Sequence, residues 1–525
     1  MTVPRRTLLV FTIIFILLFL KEAVPRFQDP DTFYHVMITE MIRDQGIPTV
    51  FPWFSFTTWP EMYVDAHLLY HVALIPFVTF FDPLVGVKIA ALLFGMLTFF
   101  TLYRVLKSIR APYAELLTLA AALCAPFLYR ISFARAISLS VTTLLIITWA
   151  ALTGRKWIAF LASAFFVWLY HGYPTALLSI FAICVADWLA CRLVPTHKPQ
   201  FWQSIWPIGA GLLTGLIINP TFPNNIIFSV LDIFKIGVVG RLGTNVMPGS
   251  EWFGVMLGNV VESAVPIAFI LLLSILSFVG ACLSRHVQIS HEKVRVLFTF
   301  LFLGTGYSLL TIRSNRFIEY AVPFLTLAAG AFLAIAFPYL ESTIFPTIRD
   351  WFHTNRSWKK VSIGLLFITT IALGGNEVLA SYKGDYYQTR QYQFASDWIK
   401  TNVPENEIIF TNIWDFGSVL VYLDPTYRVI VGLDPRFMSD PFPEKYQLLM
   451  EISSGESDKL SAITDVFQSR VVVVDMRSKE AEAFSKQLES SNTFHEVGRN
   501  EWVRLFTCLS ACGLPVSHSA PAVTY

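Results

Sequence analysis

Long apolar runs separated by short polar connectors fill the first 383 residues, and that alternation predicts a bundle of helices. The runs lie at roughly 8–20, 84–106, 112–128, 134–152, 156–170, 174–191, 203–220, 258–283, 296–312, 317–338 and 361–379. Most approach the ~20 residues a helix needs to cross a ~30 Å hydrocarbon core. Basic residues collect in alternate connectors: Arg104, Lys107 and Arg110; Arg155 and Lys156; Arg192 and Lys198; Arg285, Lys293 and Arg295; Arg349, Arg356, Lys359 and Lys360. All fall on the side of Arg5 and Arg6, which the positive-inside rule makes cytoplasmic. Eleven spans then put the C-terminal part outside the cytoplasm. The apolar piece 66–81 is about 16 residues, short for a crossing, and is expected to lie along or dip into the outer surface. If it crosses, another crossing has to be added or lost, the best candidate being near 225–236, and the count runs to 11–13.

Residues 8–20 follow two arginines as a signal peptide would. Lys21, Glu22 and Ala23 supply no small-residue cleavage site, so the run reads as an uncleaved anchor. After about Gly384 the long runs stop. Tyr392–Thr401, Phe442–Ile452 and Ser478–Ser490 have helical spacing, whereas Glu407–Phe410, Val419–Tyr422, Arg428–Val431 and Val471–Val474 read as short buried strands. The expected architecture is a polytopic α-helical membrane domain over 1–383, its first extracytoplasmic loop at about 25–83, and an extracytoplasmic α/β domain over 384–525.

Composition agrees, with 54% hydrophobic and only 14% charged residues, and the net charge of +2 implies no nucleic-acid partner. The partners expected are the bilayer and something it delivers.

Parity places most of the chemistry-bearing residues on the outer face: Asp29, Asp31, His35, Asp65, His67, His171, Glu251, Arg313, Arg316 and Glu319. Asp29 and Asp31 sit just after the first run. They read either as caps of a helix starting near Thr32, or as a carboxylate pair that binds a divalent cation such as Mg or Mn, or as a general base. In Arg313–Tyr320 two guanidinium groups and a carboxylate lie between apolar spans, where charge is costly unless paired or serving a ligand. An Arg316–Glu319 pair at i,i+3 is one account, and a phosphate held by the planar fork of arginine is the other. Trp53, Trp59 and Trp252 read as interfacial belt residues or as stacking platforms for sugar rings.

The run QDPDTFYHVMITEMIRDQGIPTVFPWFSFT, with the Asp65-Ala-His67 turn behind it, resembles the first extracytoplasmic loop of GT-C fold glycosyltransferases. INPTFPNN, GSEW, RSNRFIEYAVPF, FTNIWDFGSVLVYLDP and VGLDPRF resemble later pieces of bacterial members. The resemblance covers about a quarter of the chain, in order from end to end. It implies transfer of a sugar from a polyprenyl-phosphate-linked donor, with Asp31 and Asp29 catalytic or metal-binding and Arg313 and Arg316 on the donor phosphate. His35, Asp65, His67, Glu251, Trp414 and Asp415 would position the acceptor. Trp414-Asp415-Phe416-Gly417 is similar to the WWDYG signature of oligosaccharyltransferase catalytic subunits, with Ile413 in place of its first Trp. The region matching that branch's second acidic motif, Leu128–Ala136, holds no acid. A polytopic transporter or lipid-linked-sugar flippase is the rival class, but no internal repeat is visible and the charges sit at span ends.

Overall fold

The computed structural model describes residues 4–195, 199, 201–230, 265–285, 290–354, 356–383 and 386–508. The apolar runs are helices, because in hydrocarbon a helix satisfies every backbone polar group within its own segment. Five described segments are long and apolar enough to cross a bilayer: Pro83–Ser108, Thr175–Leu193, Val265–Leu283, His291–Arg313 and the helical stretch Asn315–Trp351. A sixth is broken, with Ala114–Ala122 and Ala125–Ile131 meeting at 81°. The break lies just ahead of Pro126, whose ring cannot continue the preceding helix. The chain is a multi-pass membrane protein.

Other runs form shorter helices than the sequence pattern suggests. Leu68–Phe80 has 13 residues, Lys156–Leu169 has 14 and Ile137–Leu152 has 16. At ~1.5 Å per residue these rise about 20–24 Å. Local punctuation sets their ends: Gly154, with φ of 71°, takes the left-handed conformation after the helix ending at Leu152, where a side chain would be strained.

Ile318–Tyr339 is the most enclosed of these helices. Tyr320 hydrogen-bonds through its hydroxyl to Ser140 Oγ at 2.8 Å, and the buried Glu319 accepts from Arg130 Nε at 3.0 Å. At the far end of the bundle Arg295 and Asp187, 3.4 Å apart, join His291–Arg313 to Thr175–Leu193.

The C-terminal region is an α/β layer around a five-stranded sheet of order β2-β1-β3-β5-β4. Its strands are β1 Ile408–Thr411, β2 Arg428–Val429, β3 Val471–Asp475, β4 Phe494–Arg499 and β5 Val503–Cys508. β1 is parallel to β2 and β3, and the β4–β5 hairpin is antiparallel. Val419–Tyr422, expected as a strand, belongs to the helix Gly417–Leu423. Four apolar residues are too few to tell a strand from a buried helical turn.

The first loop closes the edge of this sheet. Ser55 and Phe56 donate their amides to the carbonyls of Val429 and Ile430 at 3.0 Å each, and Val429 donates to Trp53 at 2.8 Å. The ring of Phe54 lies where a Cβ on residue 432 would stand, 2.4 Å from the nearest ring atom, so only glycine fits there. This contact brings Leu433, Asp434 and Phe437, which follow Gly432, beside residues of the first loop.

Candidate active site

The helix Asp31–Gln45 begins directly behind Pro30, and Asp29 Oδ1 accepts the Asp31 amide at 3.1 Å. Residues 31, 34 and 35 share one helical face by their i, i+3 and i+4 spacing. All three line a cavity of about 110 Å³. Its other walls come from distant segments: Trp59 and His67 of the first loop, Arg135, Tyr170 and His171, Arg316, and Leu433, Asp434 and Phe437 of the C-terminal region.

Asp29 and Asp31 are both engaged by one guanidinium. Arg135, in the turn before the helix Ile137–Leu152, pairs through Nε with Asp29 and through Nη2 with Asp31. The two carboxylates expected to hold a divalent cation are thus occupied by an internal one. Among the described residues no group of three or more His, Cys, Asp or Glu side chains is arranged to hold a metal. A divalent ion on these two acids would have to displace the Arg135 guanidinium.

Beside the acids runs a chain of imidazoles. Asp65 Oδ2 lies 2.8 Å from His71 Nδ1, and His71 Nε2 lies 2.8 Å from His35 Nδ1. Asp65 Oδ1 also accepts the amide of His67 at 2.9 Å, and His67 Nε2 lies 3.1 Å from His171 Nδ1. Burial pushes His35 and His67 well below the ordinary histidine range, and neighbouring imidazoles push the same way. Burial alone would raise Asp65, but its interaction and hydrogen bond with His71 and the hydrogen bond from the His67 amide outweigh it and hold the carboxyl low.

Arg316 sits in the short 3-10 turn Asn315–Phe317 and donates from Nη2 to the Tyr170 hydroxyl at 3.2 Å. The i,i+3 pair of Arg316 with Glu319 does not form, because Glu319 points into the bundle and takes Arg130. Arg313 is exposed at the end of its helix and does not line the cavity.

Trp414 and Asp415 also lie off the cavity. Trp414 packs against the core of the α/β layer, and Asp415 accepts the Tyr387 hydroxyl at 2.8 Å. Burial raises the Asp415 carboxyl, with the Tyr387 hydrogen bond and Arg477 opposing it. Of the tryptophans, Trp59 lines the cavity with its ring 4.7 Å from that of Phe437, while Trp53 Nε1 donates to the Pro425 carbonyl at 2.8 Å. Glu251 and Trp252 lie outside the described residues.

The residues that the sequence reading did not single out are Arg135, His71, Tyr170 and Asp434. Arg135 lies in the acid-free stretch Leu128–Ala136, and His71 inside an apolar run. The usable signal for Asp434 was VGLDPRF: Leu433 there has a φ of 68°, and the turn it makes brings Asp434 to the cavity.

No protein-family model matches the chain, and no curated protein does. Solved structures do match in fold. The Archaeoglobus fulgidus oligosaccharyltransferase in its apo form superposes with a TM-score of 0.58 at 13% identity over 94% of this chain and 73% of its own. ArnT from Cupriavidus metallidurans bound to undecaprenyl phosphate gives 0.56 at 12% identity, covering 97% of this chain and 99% of its own. The mycobacterial arabinofuranosyltransferase AftD gives 0.56 at 14% identity, over 97% of this chain and 40% of its own. The likeness is one of architecture, and it defines this chain as a membrane protein of the GT-C fold, with an α/β layer seated on its first loop.

Proposed function

We propose that this protein is a glycosyltransferase that moves a sugar from a polyprenyl-phosphate-linked donor to an acceptor at the extracytoplasmic face, with inversion at the anomeric carbon. The observation that carries this reading is the convergence of Asp31, Arg135, Arg316 and a set of histidines on one cavity between the membrane domain and the α/β layer. A GT-C neighbour that holds undecaprenyl phosphate supports the donor class.

The roles follow from charge. Arg316 faces the donor phosphate, where a planar fork binds two oxygens and stabilises the leaving group as negative charge develops. Asp31 orients the acceptor nucleophile toward the anomeric carbon, held in place by Arg135. The acceptor oxygen bonds to that carbon, the bond from carbon to the phosphate oxygen breaks, and the polyprenyl phosphate departs with the electron pair. A cation on Asp29 and Asp31, Mg or Mn, would first have to displace Arg135, so we assign no step to it.

Transfer to protein asparagine is a second reading, supported by the fold of the archaeal oligosaccharyltransferase. Ile413 in place of tryptophan, and Asp415 tied to Tyr387 off the cavity, weigh against it.

The test is transfer of labelled sugar from a panel of polyprenyl-linked donors into lipid, glycan and protein fractions, by membranes holding wild type or Asp31→Asn. Label in one fraction with wild type alone establishes the activity and the acceptor class. Passage of the donor across vesicles without any product would move the assignment to a transporter or flippase.

A further inference from the structure

Inversion at carbon releases a proton from the acceptor, and Asp31 is a poor place to leave it, because the Arg135 guanidinium favours the ionised carboxylate. A better acceptor lies one helical turn away on the same face. We propose that His35 is the immediate proton acceptor of the transfer reaction, and that Asp65 and His71 form a relay behind it which carries the resulting charge away from the cavity. This deepens the proposed function and rests on it.

The hydrogen-bond chain determines the tautomers. An ionised Asp65 only accepts, so His71 Nδ1 carries a hydrogen toward it across 2.8 Å. In a neutral His71, Nε2 is then a lone pair, and His35 must donate to it from Nδ1 across 2.8 Å. That leaves His35 Nε2 unprotonated, with no protein partner among the described residues, on a side chain that lines the cavity. Chemically this is an acid-imidazole dyad extended by one imidazole.

The step balances simply. As the new glycosidic bond forms, the acceptor O–H proton is passed to His35 Nε2. The Nδ1 hydrogen of His35 shifts to His71 Nε2, so the positive charge rests on His71 beside Asp65. The surroundings favour that direction. His67 and His171 stand near His35 from the first loop and from the segment after Leu169, and Tyr34 and Tyr70 flank it, with no acid among the described residues in direct contact with the ring. Arg135 and Arg316 line the same cavity and repel a cation at its wall. Burial also holds His35 below the ordinary histidine range, so it does not retain the charge. Asp65 is the group placed to neutralise it. Asp65 and His71 touch no substrate and are positioning residues.

The experiment has two arms on the full-length protein in membranes or nanodiscs. In the first, kcat and donor KM of wild type, Asp65→Asn and His71→Gln are followed against pH. We expect kcat to fall on the order of 10²–10⁴-fold in both variants with donor KM little changed, and the acid limb of the Asp65→Asn profile to move to lower pH. Added imidazole should restore part of the activity of His35→Ala. Unchanged pH profiles in variants that bind the donor normally would overturn the relay while leaving the glycosyltransferase reading intact. The second arm needs no turnover: nitrogen NMR of labelled histidine at neutral pH should show His35 protonated at Nδ1 and bare at Nε2, changing in Asp65→Asn. A hydrogen on His35 Nε2 in wild type would overturn the relay whatever the activity assays give.

Discussion

Two arginines five residues apart, Arg130 and Arg135, make the same kind of bond for opposite ends. Arg130 and Glu319 are sealed in the bundle, with side chains 4% and 1% exposed. Arg135 meets Asp29 and Asp31 at the cavity wall, where the three side chains are 16%, 9% and 13% exposed. A closed pair holds helices together and excludes everything else. An open pair keeps a carboxylate charged and aimed while leaving one side for a ligand. The difference lies in access rather than in residue type, so substitutions should separate them cleanly.

The largest effect is expected at the open pair. Asp31→Asn should lower transfer on the order of 10²–10⁴-fold with almost no change in thermal midpoint, because it removes charge and keeps shape. Turnover within a few-fold of wild type would show that the open pair is as structural as the closed one.

The closed pair should behave in reverse. Arg130→Met strands Glu319 as an unpaired buried carboxylate, which costs about 3–5 kcal/mol in stability. Activity per folded molecule should stay near wild type. Arg130→Met combined with Glu319→Leu should regain most of the stability, since an apolar pair of similar volume removes the stranded charge. The check is thermal or denaturant unfolding in detergent alongside specific activity.

Arg135 sharpens the contrast in a third way. In wild type its guanidinium serves both acids, so chelation of divalent ions is expected to leave transfer unchanged. Arg135→Gln releases two adjacent carboxylates and should lower transfer by roughly 10–100-fold, with Mg or Mn restoring part of it. Loss of wild-type activity on chelation would mean that a metal shares the site with Arg135.

How much of this was legible in the sequence depends on whether a residue's role is local. Asp31, His35 and Arg316 sit in short polar stretches between apolar runs, where charge stands out against hydrocarbon, and the structure brings all three to one cavity. Their helical phase follows from spacing alone. Pairing is not local: Glu319 is three residues from Arg316 but bonds to Arg130, 189 positions away. Arg135 and His71 drew no notice, because one resembles any loop arginine and the other sits among Leu, Tyr and Val. Helix ends were blurred for the same reason, since hydropathy marks apolar content while Gly154 and Pro126 decide where the backbone stops or bends. The hairpin β4–β5 escaped because β4, Phe-His-Glu-Val-Gly-Arg, is mostly polar at the edge of the sheet.

A smaller effect separates the two arginines at the end of the bundle. Arg316→Lys replaces a planar fork with a point charge and should weaken donor binding about tenfold, roughly 1.4 kcal/mol. Arg313→Lys, off the cavity, should change donor affinity by less than about twofold. Equal losses would place both on the carrier phosphate.

The smallest effect tests an acid with no arginine hydrogen-bonded to it in either manner. Asp415 is only partly exposed under the α/β layer, bonded to Tyr387, and burial raises its carboxyl above the ordinary range. An acid whose folded-state pKa is raised binds its proton more tightly when folded, so stability falls as pH rises from the ordinary carboxyl range through the raised value. Asp415→Asn keeps an oxygen for Tyr387 but has nothing to ionise. Its stability should therefore match wild type at low pH and exceed it increasingly as pH rises through that window, while transfer stays within about twofold. Parallel stability profiles would mean that the carboxylate is fully compensated in place, and a large loss of transfer would return the Trp414–Gly417 segment to the acceptor site. The second result would add another open acid to the comparison, one supplied by the α/β layer rather than by the first loop.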